Sequence, residues 1–149
     1  MKARLHVIPR VSLSLTALLV TTCMSNKKGF ENWNTQVPVD HFKTVATIAG
    51  GTSRQEIRMM VTVRQDLNKA GVKAIPASGR WDSVAEALGG ICSPGAEQPV
   101  DGVVVVRYDN LVLYDCQNSK AAFEIQGTGE KGITEMTQRL IKYLKRKPE

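Results

Sequence analysis

The stretch from Val103 to Cys116 constrains the fold more than any other part of the sequence. Val103-Val104-Val105-Val106-Arg107-Tyr108 and Leu111-Val112-Leu113-Tyr114-Asp115-Cys116 are β-rich runs on either side of Asp109-Asn110. Two turn formers between such runs predict an antiparallel hairpin with a two-residue turn. Apolar residues fall at both odd and even positions, so both faces of the hairpin need cover, and it belongs in the middle of a sheet. Ala121-Ala122-Phe123-Glu124-Ile125 alternates more cleanly and predicts a third antiparallel strand, with Gly127 and Gly129 marking its exit.

The remaining elements supply that cover. Thr44-Val45-Ala46-Thr47-Ile48-Ala49 reads as a strand ending at Gly50-Gly51. Ser53-Arg54-Gln55-Glu56 is a capping box, which predicts a helix running to Ala70 and stopped by Gly71. Its apolar arc is Ile57, Met60, Val61, Val63 and Leu67. Val72-Lys73-Ala74-Ile75-Pro76 predicts a short strand, with Pro76 closing it or marking an edge. Ser83-Val84-Ala85-Glu86 is a second capping box, opening a helix that should end near Leu88, before Gly89-Gly90. Ile133, Met136, Thr137, Leu140, Ile141 and Leu144 keep helical spacing, and Arg139, Lys142, Lys145, Arg146 and Lys147 crowd the end of that helix, where its dipole favours cations.

The order is β-α-β-α-β-β-β-α, a mixed α/β fold. Helical connections predict parallel pairing among the early strands, and the hairpin adds antiparallel ones. We expect a single domain over residues 42–147, in two or three layers, with a sheet of about five strands. The expected core is Val45, Ile48, Ile57, Val61, Leu67, Ile75, Val104, Val106, Leu113, Phe123, Ile125, Leu140 and Ile141. A length of 149 residues suits one domain, and 42% apolar content excludes a disordered chain.

The first 22 residues read as an address. Lys2, Arg4 and Arg10 form a basic head with no acid, and Val11 to Val20 is an uncharged run of ten. Ten residues fall well short of the roughly 20 that a helix needs to cross a bilayer. Basic head, short apolar middle and small polar end together make a secretory signal peptide. Without these residues the charge falls from +6 to +3, because 17 Lys and Arg then face 14 Asp and Glu. That balance, with no nucleic-acid motif, argues against a nucleic-acid partner.

Val20-Thr21-Thr22-Cys23 resembles the lipobox of bacterial lipoproteins, with Thr22 standing where Gly, Ala or Ser is usual. The resemblance covers the leader alone. It implies cleavage before Cys23, acylation of that cysteine, and anchoring to a membrane of the cell envelope. Met24-Ser25 lack the Asp that retains family members at the inner membrane, which implies the outer membrane, facing the periplasm. Residues 23–41 then read as the lipidated cysteine and a flexible tether, polar and turn-rich apart from Phe30 and Trp33. The element order is also similar in layout to small α/β domains of envelope lipoproteins, such as the curli-secretion and penicillin-binding-protein-activator groups, and that similarity carries no site residues.

With Cys23 acylated, Cys92 and Cys116 remain as an even pair in an oxidising compartment. A bridge is favoured, two separately buried thiols being the alternative. No Cys-x-x-Cys occurs, and His41 is the one histidine left after the leader, so neither a metal site nor a histidine-based catalytic set is expected. His41 reads as a surface or strand-edge residue.

Three weaker candidates complete the reading. Gly50, Gly51 and Ser53 lie between a strand and a helix, where backbone N–H groups can hold an anion or nucleotide, although the P-loop spacing is absent. Asp115 and Glu124 fall on neighbouring strands, where two carboxylates about 5–10 Å apart could hydrolyse a glycoside. Trp81 precedes a capping box, either as a packing residue or as an exposed anchor for a partner. We therefore expect a binding or accessory module without cofactor, serving an envelope protein or peptidoglycan. A secreted carboxylate hydrolase and an anion binder stand as alternatives.

Overall fold

The expected hairpin lies at the centre of a six-stranded sheet. The structure, a computed structural model, describes residues 31–127 and 129–147. In chain order its elements are β1 (Glu31–Trp33), β2 (Thr44–Ala49), α1 (Arg54–Lys69), β3 (Lys73–Pro76), α2 (Val84–Ile91), β4 (Gly102–Val106), β5 (Asn110–Asp115), β6 (Lys120–Gln126) and α3 (Gly129–Leu144). The sheet runs β1-β6-β5-β4-β2-β3. β2 pairs in parallel with β3 and β4, and the other pairs are antiparallel. The mixed α/β class is as the element order indicates.

Strand alternation divides the core. Val45, Val104, Val106, Leu111, Leu113 and Phe123 meet α1 and α3 on one face. Ala46, Ile48, Val103 and Val105 meet Ala87 and Ile91 of α2 on the other. The result is three layers. β4, buried at all of its five residues, explains why its sequence is an unbroken valine run.

Four local expectations are corrected. The hairpin turn is Tyr108-Asp109, one residue earlier than Asp109-Asn110, closed by Arg107 N–H donating to Asn110 O at 2.9 Å. This register sets Val104 against Leu113, where a turn at Asp109-Asn110 would have set it against Asp115. Neither turn residue takes a positive φ, so Asn110 serves in the strand and not as a left-handed turn residue. In α1 the buried stripe is Met59, Val63 and Leu67. Ile57 and Val61 lie about 200° around the helix from Met59 and Val63 at 100° per residue, so Ile57 is exposed and Val61 half-buried. Ile75 is also half-buried, and the rest of the expected core is buried. The third correction concerns α2, which continues through Gly89-Gly90 to Ile91, and the glycine at position 90 leaves room for the Trp81 ring.

The fourth concerns the tether. Residues 31–41 are part of the domain: β1 sets Glu31, Asn32 and Trp33 against Ile125, Glu124 and Phe123. The Trp33 ring packs 6.5 Å from Phe123 and 5.7 Å from Tyr143, edge-on to the latter, with the Arg146 guanidinium 5.1 Å from the indole centroid. Val37 is buried, and a short 3-10 turn spans Val39–His41. One aromatic side chain thus anchors a strand too short to show a sequence period. The expected signal peptide over residues 1–22, Cys23 and residues 24–30 lie outside the described residues.

The β3 edge of the sheet is blocked. Asn68 donates from Nδ2 to Ala74 O at 2.9 Å and accepts from Ala74 N–H at 3.0 Å, as a neighbouring strand would. Pro76 has no N–H to offer, so the edge gives a further strand little to pair with.

Candidate functional site

β2 leads into α1 on one face of the sheet, whereas the adjacent parallel β3 leads into α2 on the other. Two connections leaving in opposite directions open a crevice beyond the strands' carboxyl ends, the general ligand position in open α/β sheets. A cavity of about 250 Å³ lies there, with Gly50, Gly51 and Thr52 from the β2–α1 loop, Met60 and Arg64 from α1, and Ser83 at the start of α2 among its walls. A second cavity of about 430 Å³ adjoins it on the α2 face, between Ile75 and Pro76 on one side and Ile91, Ala96 and Val100 on the other.

Trp81 lines both cavities. Its ring lies against Gly79 and Gly90 so closely that a Cβ on either would fall 2.6 or 2.3 Å from it. Gly79 also has φ +124°, a conformation that a side chain would strain. The indole is half-buried, and its N–H is buried without an acceptor among the described residues. Trp81 is thus a packed wall of the crevice. The packing half of its expected reading is what the structure displays.

The Gly50–Ser53 loop is already filled from within. Ser53 caps α1 by accepting from Glu56 N–H at 3.1 Å. The Glu56 carboxylate accepts from the Ser53 hydroxyl at 3.0 Å and from Tyr108 N–H at 3.3 Å. A Cβ on Gly51 would meet that carboxylate at 2.3 Å, and one on Gly50 would meet the Arg107 side chain at the same distance. Gly50 N–H is itself spent on Val106 O at 2.7 Å. The Glu56 carboxylate and the Arg107 side chain thus share the space beside Gly50, Gly51 and Ser53 that an anion would have to enter. The reciprocal half of the capping box is also altered, since Glu56 reaches across to the β4–β5 turn.

Asp115 and Glu124 do not form a pair. Glu124 is opposite Val112, whereas Asp115 shares the face of Leu111 and Leu113, so the two carboxylates lie on opposite sides of the sheet. Arg107 lies at the other end of β4 and β5 from Asp115. The hydrolase reading therefore lacks its geometry. The Asp115 side chain is fully buried and accepts from His41 Nε2 at 3.1 Å, from Gln117 N–H at 2.9 Å, and from Asn118 Nδ2.

Sequence reasoning missed His41 as a partner of Asp115, because 74 residues separate the two. Its other ring nitrogen, Nδ1, is buried without a partner among the described residues. Nearby, Tyr143 is almost wholly buried, its hydroxyl likewise unpartnered. Burial, then the Asp115 charge, push its pKa up, and Arg146 opposes them. This cluster ties the 39–42 segment and α3 to the end of β5, and none of its members lines either crevice cavity.

Cys92 and Cys116 are bonded, with Cα atoms 5.0 Å apart, joining the end of α2 to the end of β5. Among the described residues, no group of three His, Cys, Asp or Glu side chains is placed to hold a metal ion, and no helix is long and apolar enough to cross a membrane.

No family model matches the chain, and no curated protein matches it. Among solved structures, a histidyl-tRNA synthetase from Nostoc sp. PCC 7120 is 13% identical over 70% of this chain, with a TM-score of 0.45. This chain spans only 23% of that protein's length. The PelC dodecamer from Paraburkholderia phytofirmans is 12% identical over 81% of this chain and 99% of its own, with a TM-score of 0.49.

Proposed function

We propose that this chain is a lipoprotein of the bacterial cell envelope and acts as a binding or accessory module. In this reading residues 1–22 are the signal peptide, and Cys23 carries the acyl chains that hold the protein at the outer membrane, facing the periplasm. The α/β domain then engages another envelope component, a protein or peptidoglycan, through the cavity on the α2 face.

The observation that carries this reading is the Cys92–Cys116 disulfide. Disulfides persist in exported proteins and are rare where glutathione and thioredoxin keep thiols reduced. With two of the three cysteines joined, Cys23 is the one left for acylation. Binding is favoured over catalysis because Asp115, the most deeply buried carboxylate among the described residues, is committed to holding His41, Gln117 and Asn118. The cavity on the α2 face offers a different chemistry: an indole wall beside Ile75, Pro76, Ile91 and Val100.

Metabolic labelling with a palmitate analogue tests the proposal. Label should enter the wild-type protein, which fractionates with membranes. Cys23→Ala should abolish labelling and release the protein into the soluble fraction. An unlabelled wild-type protein that retains residues 1–22 would overturn the reading.

A further inference from the structure

We propose that the domain docks on the bilayer surface by the end that carries the β4–β5 turn, with Tyr108 and Ile57 at the level of the lipid headgroups. The proposal rests on the reading of Cys23 as the acylated residue.

Tyr108 and Ile57 are the two exposed large apolar side chains among the described residues, at 48% and 45% exposure. They come from distant parts of the sequence and lie at one end of the domain. Tyr108 is in the β4–β5 turn, Ile57 is in the first turn of α1, and Glu56 beside Ile57 accepts the Tyr108 N–H. Strand register shows where the chain enters the sheet. Glu31 is opposite Ile125, Ile125 opposite Leu111, and Leu111 opposite Val106, so β1 begins at this same end.

Chain length then fixes orientation. Between Cys23 and Glu31 lie residues 24–30, which reach at most about 28 Å when fully extended. From β1 to the middle of the β4–β5 pair is about 12 Å at the usual strand spacing. An acylated Cys23 therefore holds this end of the domain toward the membrane, with the turn within reach of the surface. Had the tether run to residue 41, either end could have faced the lipid.

The chemistry suits that surface. A tyrosine ring offers an apolar body with a polar tip, suited to the boundary between acyl chains and headgroups. Arg54, Arg58 and Arg107 are exposed at this end, where cations meet lipid phosphates. Asp109 is the exposed acid in the same turn, so these three arginines leave the end net positive. Glu56, the acid between Arg54 and Arg58, is held by Ser53 and the Tyr108 N–H.

The experiment uses the acylated full-length mature protein in vesicles of phosphatidylethanolamine and phosphatidylglycerol, with and without brominated acyl chains. Tyr108→Trp adds an emitter at the proposed contact, and Gln117→Trp adds one at the exposed opposite end. The emission added at position 108 should be quenched at least twofold by the brominated lipid, and that at 117 should not. If the acylated protein sediments with vesicles and the emitter at 108 is unquenched, or quenched no more than that at 117, docking is wrong and the anchor stands. A chain that takes up no acyl group overturns both readings.

Discussion

Tyr143 sits in surroundings that a tyrosine hydroxyl does not favour. Its ring completes an aromatic cluster with Trp33 and Phe123, and its hydroxyl is buried without a partner. Burial and the Asp115 charge hold its proton more tightly than in the unfolded chain, where tyrosine ionises near pH 10. Above that pH the unfolded state carries fewer protons than the folded one, so stability falls as pH rises. Tyr143→Phe should remove this alkaline loss. Urea unfolding at pH 8 and pH 11 checks it: the wild type should lose more stability between the two values than the variant. At pH 8 the two should agree within about 1 kcal/mol, because an unpartnered hydroxyl contributes little. Identical pH dependence would refute the assignment. Nothing in the sequence near Tyr143 or His41 foretold these surroundings. Both depend on Asp115, which the hairpin register brings to the end of β5.

At the scale of elements, legibility followed the range of the interaction. The serines of both capping boxes were readable because cap and helix are neighbours: Ser53 accepts from Glu56 N–H and Ser83 from Glu86 N–H, each at 3.1 Å. The valine run announced β4 because burial on both faces leaves no room for a polar alternation. β1 was hidden, since three residues show no period and its stability comes from Trp33 meeting rings on β6 and α3. A glycine pair normally weakens a helix, which hides the last turn of α2, whereas here Gly90 makes room for Trp81. The blocked edge of β3 gives a prediction at this scale. Asn68→Ala deletes two hydrogen bonds to Ala74 and should cost about 1–2 kcal/mol. It should also expose a strand edge, giving concentration-dependent association in sedimentation velocity. A variant that stays as stable as wild type and monomeric would show that Asn68 does not guard the edge.

Across the whole molecule, the helices sort by face, and the disulfide links the layers. α1 and α3 cover one side of the sheet and α2 the other, with Cys92 at the end of α2 bonded to Cys116 just past β5. The closed loop contains all of β4 and β5, the strands at the heart of the fold. Replacing both cysteines by serine should lower unfolding stability by about 3 kcal/mol, the loop-closure value for a span of this length. Urea unfolding under non-reducing conditions measures it, and a loss well under 1 kcal/mol would mean that the bond adds little. The layer arrangement was largely legible from the sequence, but the crevice was not. Its walls come from the β2–α1 loop, α1, and the segment from Pro76 to Ala87, which only the parallel pairing of β2 and β3 brings together.

The short first strand has a mechanical consequence. A pull on the chain ahead of Glu31 acts along the axis of β1, because the strand enters the sheet from its end and runs antiparallel to β6. Force in that direction loads the rungs between the two strands in shear, all at once, whereas a pull from the side would peel them one by one. Trp33, wedged among Phe123, Tyr143 and Arg146, sits at the far end of the strand like the barb of a hook. The domain is thus built to bear tension at its entry point.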